Sequence, residues 1–239
     1  MPRVRDIELV EDRTQTSRCD EGFLHVRRYR ARNLREDGTA SREYPIDVIE
    51  RPTLDAVAVV LFARGLAGVE VLLRRGLRPA AYFRKNQTPA VPEPVHLLVE
   101  ELVAGVLEPG ERGLAALKGR AAAEVEEEVG LAIPPERFEP LGAPFLMLPG
   151  IASEKIHLVV AEVPRGDGAG PFEAPGDGDG SPLEEGAELI WRPLRAAIAA
   201  CEAGEIQDAK TEIGLRRLAD RIGEAAAAEP PRRSLSENR

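Results

Sequence analysis

Seven consecutive apolar residues, Ala56-Val57-Ala58-Val59-Val60-Leu61-Phe62, leave no polar position for a wet face. A strand with one face in solvent alternates apolar and polar residues, so this run reads as a core strand. Val69-Glu70-Val71-Leu72-Leu73 continues the pattern after Gly65 and Gly68. A chain of 239 residues that is 43% hydrophobic can bury one sizeable core around such strands and carry a small appendage.

The formal charge of −9 argues against a surface that binds nucleic acid or an anionic membrane by charge, since both are polyanions. Cys19 and Cys201 lie far apart, without the spacing of a metal clip or a redox pair, which fits a reducing cytoplasm. No apolar run approaches the ~20 residues of a membrane span. The charged start Met1-Pro2-Arg3-Val4-Arg5-Asp6 lacks the apolar stretch of a signal peptide. The expectation is a soluble cytoplasmic protein with neither a membrane nor a nucleic-acid partner.

Alternation from Phe23 to Leu34, a turn signal at Glu36-Asp37-Gly38 and the run Tyr44-Pro45-Ile46-Asp47-Val48-Ile49 predict an antiparallel β-hairpin arm within residues 1–50. Its apolar residues are too few to stabilise it alone, so it must lie against the main domain or a second copy of the chain. The main domain is expected over residues 51–228. Within it, the proline-bearing segment Tyr82 to Pro94 reads as a loop before Val95 to Val106. A helix is predicted from Gly113 to Val129, stopped by Gly130. Strands are predicted at Leu141 to Leu148 and Ile156 to Val163. The Gly-, Asp- and Pro-rich stretch from Pro164 to Gly186 reads as a flexible acidic loop, of a length usually functional or disordered. A short strand at Leu189-Ile190-Trp191, helices from Leu194 to Ala203 and from Asp208 to about Ala228, and a disordered tail over 229–239 complete the reading.

On a helical wheel Glu124, Glu127 and Glu128 fall within about 100° of arc, while Val125 and Val129 occupy another face. Like charges one turn apart repel, and carboxylates near a helix C-terminus meet the wrong end of its dipole, each effect costing a few tenths of a kcal/mol. Arg120, one turn before Glu124, can neutralise one of these charges. A hard divalent cation would neutralise the rest through oxygen ligands. An acidic helix face is more often simply solvated, so the neighbouring residues decide the matter.

Upstream stand Ala104-Gly105 and the turn Glu108-Pro109-Gly110-Glu111; downstream stands Gly130-Leu131. Together they resemble the signature box of the Nudix hydrolases: Gly, five residues, Glu, seven residues, then Arg-Glu-apolar-any-Glu-Glu-any-Gly-apolar. Gly105 and Glu111 have the right spacing, and Glu124-Val125-Glu126-Glu127-Glu128-Val129-Gly130-Leu131 matches the second half. Two departures stand out. Eleven residues (112–122) separate Glu111 from the arginine position, and that position, 123, holds alanine. The four extra residues amount to about one helical turn, which a longer loop or an earlier helix start would absorb without rotating the carboxylate face. In the family the arginine braces the glutamates, and Arg120 is the expected substitute.

Outside the box, Asp55-Ala56-Val57-Ala58-Val59, Leu72-Leu73-Arg74-Arg75-Gly76-Leu77-Arg78-Pro79-Ala80, Glu101-Leu102-Val103-Ala104-Gly105, Pro149-Gly150 with Glu154-Lys155-Ile156-His157-Leu158, and Gly204-Glu205-Ile206-Gln207-Asp208-Ala209-Lys210-Thr211 resemble, in order, segments of the ADP-ribose pyrophosphatase branch. The resemblance covers approximately Phe23 to Ile222. It implies an α/β (α+β) fold, a Nudix-type α/β/α sandwich with a mixed sheet, preceded by the hairpin arm. It further implies Mg²⁺-dependent hydrolysis, with Mn²⁺ as the alternative ion, of the diphosphate of ADP-ribose or a related nucleoside diphosphate sugar.

By the same resemblance Glu124 and Glu128 bind the metal, with Glu111, Glu127 and the Ala104 carbonyl as further ligands or supports. The general base maps to Glu184, Glu185 or Glu188, with Glu185 read as the base and Glu188 as a metal ligand. Arg78, Arg75 and Glu101 are the expected substrate-binding residues, Arg78 ahead of Arg75, because a guanidinium fork suits a diphosphate. His157, Lys210 and Trp191 are read as packing residues. The hairpin arm is expected to form a homodimer. Competing readings are a different nucleotide sugar or a dinucleotide (UDP-glucose, GDP-mannose), and a non-catalytic Nudix-fold regulator. Ala123 and the lengthened box count for the regulator; the retained self-repelling glutamates count against it. An RNA-decapping enzyme would want a basic, aromatic-lined surface, which an acidic chain with 4% aromatic residues does not suggest.

Overall fold

The computed structural model describes residues 18, 21–66, 68–165, 172–174 and 181–228. The expected tail 229–239, Cys19 and most of the Gly/Asp/Pro-rich stretch lie outside the described residues. The arm forms as expected. Strands β1 (His25–Ala31) and β2 (Tyr44–Glu50) pair antiparallel from His25↔Glu50 to Ala31↔Tyr44 as a two-stranded sheet of their own. At the turn the Asp37 carboxylate accepts hydrogen bonds from the Thr39 hydroxyl (2.7 Å) and amide (2.9 Å). The arm meets the rest of the chain where the Ile49 amide donates to the Ile151 carbonyl (2.7 Å) and Arg51 pairs with Glu154 (2.5 Å).

The main body runs β3 (Ala56–Gly65), β4 (Gly68–Leu77), α1 (Pro79–Tyr82), β5 (Leu98–Glu101), β6 (Val103–Val106), α2 (Gly113–Val129), β7 (Glu139–Pro140), β8 (Phe145–Leu146), β9 (Lys155–Glu162), β10 (Phe172–Glu173), β11 (Glu188–Pro193), α3 (Leu194–Glu202) and α4 (Ala209–Ala228). The sheet order is β10-β11-β4-β3-β9-β7, with β5 on β4, β6 on β3 and β8 on β9. The β3–β9 pair is parallel and the other named pairs are antiparallel, so the sheet is mixed. The protein is therefore mixed α/β.

The uninterrupted apolar run is explained by what covers it. Val57, Val59 and Leu61 face α2 through Leu117, Ala121, Val125 and Val129. Ala58, Val60 and Phe62 face α3 and α4 through Leu194, Ala197, Leu215 and Leu218. With both faces dry, a polar residue anywhere in the run would be buried, whereas each large aliphatic side chain contributes about 1.5–3 kcal/mol. Helix α2 spans the predicted residues and stops where Gly130 takes the left-handed conformation (φ 72°), its amide donating to the Glu126 carbonyl at 3.0 Å.

Two segments depart from simple strands. The stretch expected as one strand over Leu141 to Leu148 is broken: Gly142 has φ +81° and Arg217 of α4 donates to the carbonyls of Leu141 (3.0 Å) and Ala143 (2.8 Å), taking them out of any ladder. Only β7 and β8 flank this interruption. The second departure shapes the centre of the sheet. Strands β3 and β4 pair only from Leu61↔Leu72 to Gly65↔Gly68 and then part. Segment 98–106 fills the opening, pairing first with β4 (Arg74↔Glu101) and then with β3 (Val57↔Gly105). The change of partner falls at Leu102, whose amide donates to the buried Thr211 hydroxyl of α4 at 2.9 Å. Among the described residues, no helix is long and apolar enough to cross a membrane.

Candidate functional site

Helix α2 lies on the sheet by its valine face, which turns Glu124 and Glu128 inward beside β6 and leaves Glu126 and Glu127 exposed. Glu124 packs so closely over Gly105 that a Cβ there would overlap its carboxylate. Glycine at 105 is thus a space requirement. Burial first, and then the charges of Glu128 and Glu127, push the Glu124 carboxyl up to about 7. Glu128 is raised too, chiefly by burial, against the opposing charge of Arg74 and a hydrogen bond with the Ala104 backbone. Its Oε2 is buried and has no hydrogen-bond partner.

Arg120, one turn before Glu124 on α2, reaches back to the loop that precedes the helix. Its guanidinium holds Glu111 through two hydrogen bonds (3.1 and 3.2 Å) and stands 3.8 Å from Glu124. Burial, the largest single influence, would raise the Glu111 carboxyl, but the Arg120 hydrogen bond, the Glu108 amide and the Arg120 charge together outweigh it and keep the group below its ordinary range. The loop before α2 is therefore tied to the helix by an ion pair.

Sequence reasoning passed over Arg74, which is 1% exposed. Strand alternation puts it on the face of Leu72, toward α2, where it stands 3.9 Å from Glu128 and forms an ion pair with Glu184. Its guanidinium lies over Gly76, where a Cβ would collide with Nη1, and Nη1 has no hydrogen-bond partner. The adjacent pair Arg74-Arg75 in a strand was the available signal, since two consecutive residues must point to opposite faces.

The expected substrate-binding residues are held by a second set of ion pairs at the β4–β5–β11 edge. Arg78 meets Glu101 at 2.5 Å, and Lys210 donates to the other oxygen of Glu101, also at 2.5 Å. Glu101 is 4% exposed, so its carboxylate is committed to these two cations. Arg75 and Arg192 converge on buried Glu100 at 2.5 and 2.7 Å. Burial opposes ionisation of Glu100, but the hydrogen bonds from Arg192 and Arg75 prevail and lower its pKa. Glu188 pairs with Arg75 at 3.3 Å.

The expected residues thus fall into two groups. Glu111, Glu124, Glu128 and the Ala104 backbone gather at α2. Arg75, Arg78, Glu101 and Glu188 gather at the sheet edge, bridged to α2 by Arg74. Glu185 is exposed, and of the three glutamates near β11 it is Glu184 that reaches Arg74. Among the described residues, no set of three or more His, Cys, Asp or Glu side chains is arranged to hold a metal ion. Glu124 and Glu128 stand instead drawn toward Arg120 and Arg74.

A cavity of about 480 Å³ opens near the N-terminal end of α2, bordered by Leu107, Arg112, Leu114, Pro144 and His157, and it includes neither Glu124 nor Glu128. His157, read as a packing residue, lies in its wall with Nε2 3.3 Å from the Asp55 carboxylate. Lys210 is buried between Glu101 and Asp208, and Trp191 packs partly buried on the α2 side. Buried carboxylates of raised pKa beside clustered guanidinium groups suit a site that handles a cation and an anionic ligand together. No family model matches the chain, and no curated protein matches it either.

Proposed function

We propose that this chain is a Nudix-type hydrolase, a Mg²⁺-dependent enzyme that cuts the diphosphate of ADP-ribose or a related nucleoside diphosphate sugar into a nucleoside monophosphate and a sugar phosphate. One observation carries the reading: Glu124 and Glu128 are turned inward one turn apart, and Glu128 Oε2 is buried without a donor. Leaving such an oxygen unsatisfied costs about 1–3 kcal/mol or more, and the neighbouring like charge adds to it. A hard divalent cation fits this donor set, because carboxylate and carbonyl oxygens are the ligands it takes. Glu124 and Glu128 would hold it, supported by Glu111, Glu127 and the Ala104 carbonyl.

When bound, the cation neutralises charge on the diphosphate and lowers the pKa of the attacking water. The chain's own residues do the rest. Arg78 and Arg75 present guanidinium forks to phosphoryl oxygens. Glu101 and Glu100, locked by Lys210 and Arg192, hold those forks in place. Arg120 steadies Glu111 and the loop before α2. The test is phosphatase-coupled phosphate release from a panel of nucleotide sugars with Mg²⁺. ADP-ribose or a close analogue should lead the panel; no turnover of any member would remove the reading and favour a binding protein.

The arm supports a partner proposal. A two-stranded ribbon is marginal by itself, and Phe23, Leu24, Tyr29 and Leu34 on or beside it are each more than half exposed. A second copy of the chain would cover them. Sedimentation at micromolar concentration should give a dimer, and a monomer would retire this assembly.

A further inference from the structure

We infer that the cavity beside the start of α2 is a second ligand site, built for a phosphomonoester that carries a flat, largely apolar ring with a hydrogen-bond donor on it. Its volume of about 480 Å³ lies within the range of small-molecule pockets, about 300–1,000 Å³. The charged groups of its wall decide the sign of what enters. The Asp55 carboxylate is engaged at both oxygens: one accepts from the Lys155 amide at 3.2 Å, and the other lies 3.3 Å from His157 Nε2. Glu111 is held by Arg120 and by the Glu108 amide, which donates to it at 2.7 Å. Arg112 is exposed and, among the described residues, has neither a hydrogen bond nor an ion pair. Both acids of the wall are thus committed while its cation is open, which selects an anion.

The rest of the wall sets the shape of the ligand. Leu107, Leu114 and Pro144 give it an apolar surface, and Leu114 is 51% exposed, so a ring laid against it would remove apolar area from water. Helix α2 starts here without a side-chain cap or an acidic residue in its first turn, and its leading amides add donors beside Arg112. A guanidinium fork next to backbone amides suits the several oxygens of a phosphate. His157 supplies the other polar contact. With Nε2 turned to Asp55, that nitrogen carries the proton, and Nδ1 is an acceptor without a partner among the described residues. An amino group on the ring provides the missing donor. Asp55 and His157 stand on neighbouring strands of the parallel β3–β9 pair, so the sheet fixes their positions before any ligand arrives.

AMP has all three features and serves as the probe, titrated by calorimetry into the intact chain in chelator. The parent should bind AMP more tightly than adenosine or inorganic phosphate. Arg112→Ala and Leu114→Asp, both at exposed positions, should each weaken binding about tenfold, while Arg78→Ala matches the parent. Amide exchange with AMP present should slow in residues 112–117 and 155–158. No AMP binding, inorganic phosphate binding as tightly as AMP, or loss of affinity in Arg78→Ala with protection confined to residues 74–78 and 98–101 overturns the assignment, the last by placing AMP at the sheet edge. Should Leu114→Asp unfold the start of α2, Arg112→Ala and the exchange pattern decide. Arg112, Leu114 and His157 have no part in the proposed hydrolysis, so failure here leaves that reading standing, and an inactive enzyme leaves this site standing.

Discussion

Glu128→Gln is expected to lower ADP-ribose hydrolysis by about 10³-fold, the several kcal/mol that cation-assisted stabilisation of a developing phosphoryl charge supplies. The amide keeps the size of the carboxylate but loses the charge that would hold the ion, and its nitrogen cannot serve as an oxygen ligand. The fold should survive, because α2 is anchored by Val125 and Val129, both buried against the sheet. Phosphatase-coupled kcat/KM, with far-ultraviolet circular dichroism as the check on folding, reads both effects. Glu126→Gln, exposed on the same helix, is the control and should behave as the parent. Turnover of Glu128→Gln within a few-fold of the parent would take Glu128 out of the mechanism.

A second large effect concerns stability and pH. Glu124 ionises near 4.5 in an unfolded chain, but burial, then Glu128 and Glu127, push it to about 7 in the folded protein. Below 4.5 both states carry the proton and the group contributes no difference. Between 4.5 and 7 folding must take up a proton, so stability falls as pH rises, and above 7 the whole penalty of about 3 kcal/mol is present. Glu124→Gln removes it. In chelator, urea unfolding should show the variant more stable than the parent by up to about 3 kcal/mol at pH 8, with little difference at pH 4. Adding Mg²⁺ at pH 8 should stabilise the parent and not the variant. A variant equally stable relative to the parent at both pH values would show that Glu124 is not a strained buried carboxylate.

The strands and helices that could be read from the sequence are those whose pattern is set locally or by burial on both faces. The run Ala56 to Phe62 had no polar exit, and the helix over Gly113–Val129 had a glycine stop in register with its valine face. The segment Leu141 to Leu148 misled because its apolar content is real, but a guanidinium from α4 claims its carbonyls, and no local pattern announces a partner 74 residues away. The inward turn of Glu124 and Glu128 was legible from helical geometry, whereas Glu127, read on the same side, is exposed at its rim. Arg74 was not: two neighbouring arginines look alike until the strand's partners decide which faces inward. Which of Glu184, Glu185 and Glu188 turns inward was not legible for a related reason, since the 3₁₀ turn Pro182–Glu184 directs Glu184 while Glu188 already belongs to β11.

The Thr211 side chain ties distant parts of the chain together. Its hydroxyl donates to Asp208 at 2.5 Å while accepting from Leu102 at 2.9 Å, so one oxygen both closes the start of the C-terminal helix and satisfies the strand where it changes partners. Anyone shortening this protein, or fusing a tag close behind the last strand, would meet a boundary that sequence numbering does not reveal. The final helix is a foundation stone for Ala104 and Gly105, and removing it would shift the floor beneath Glu124.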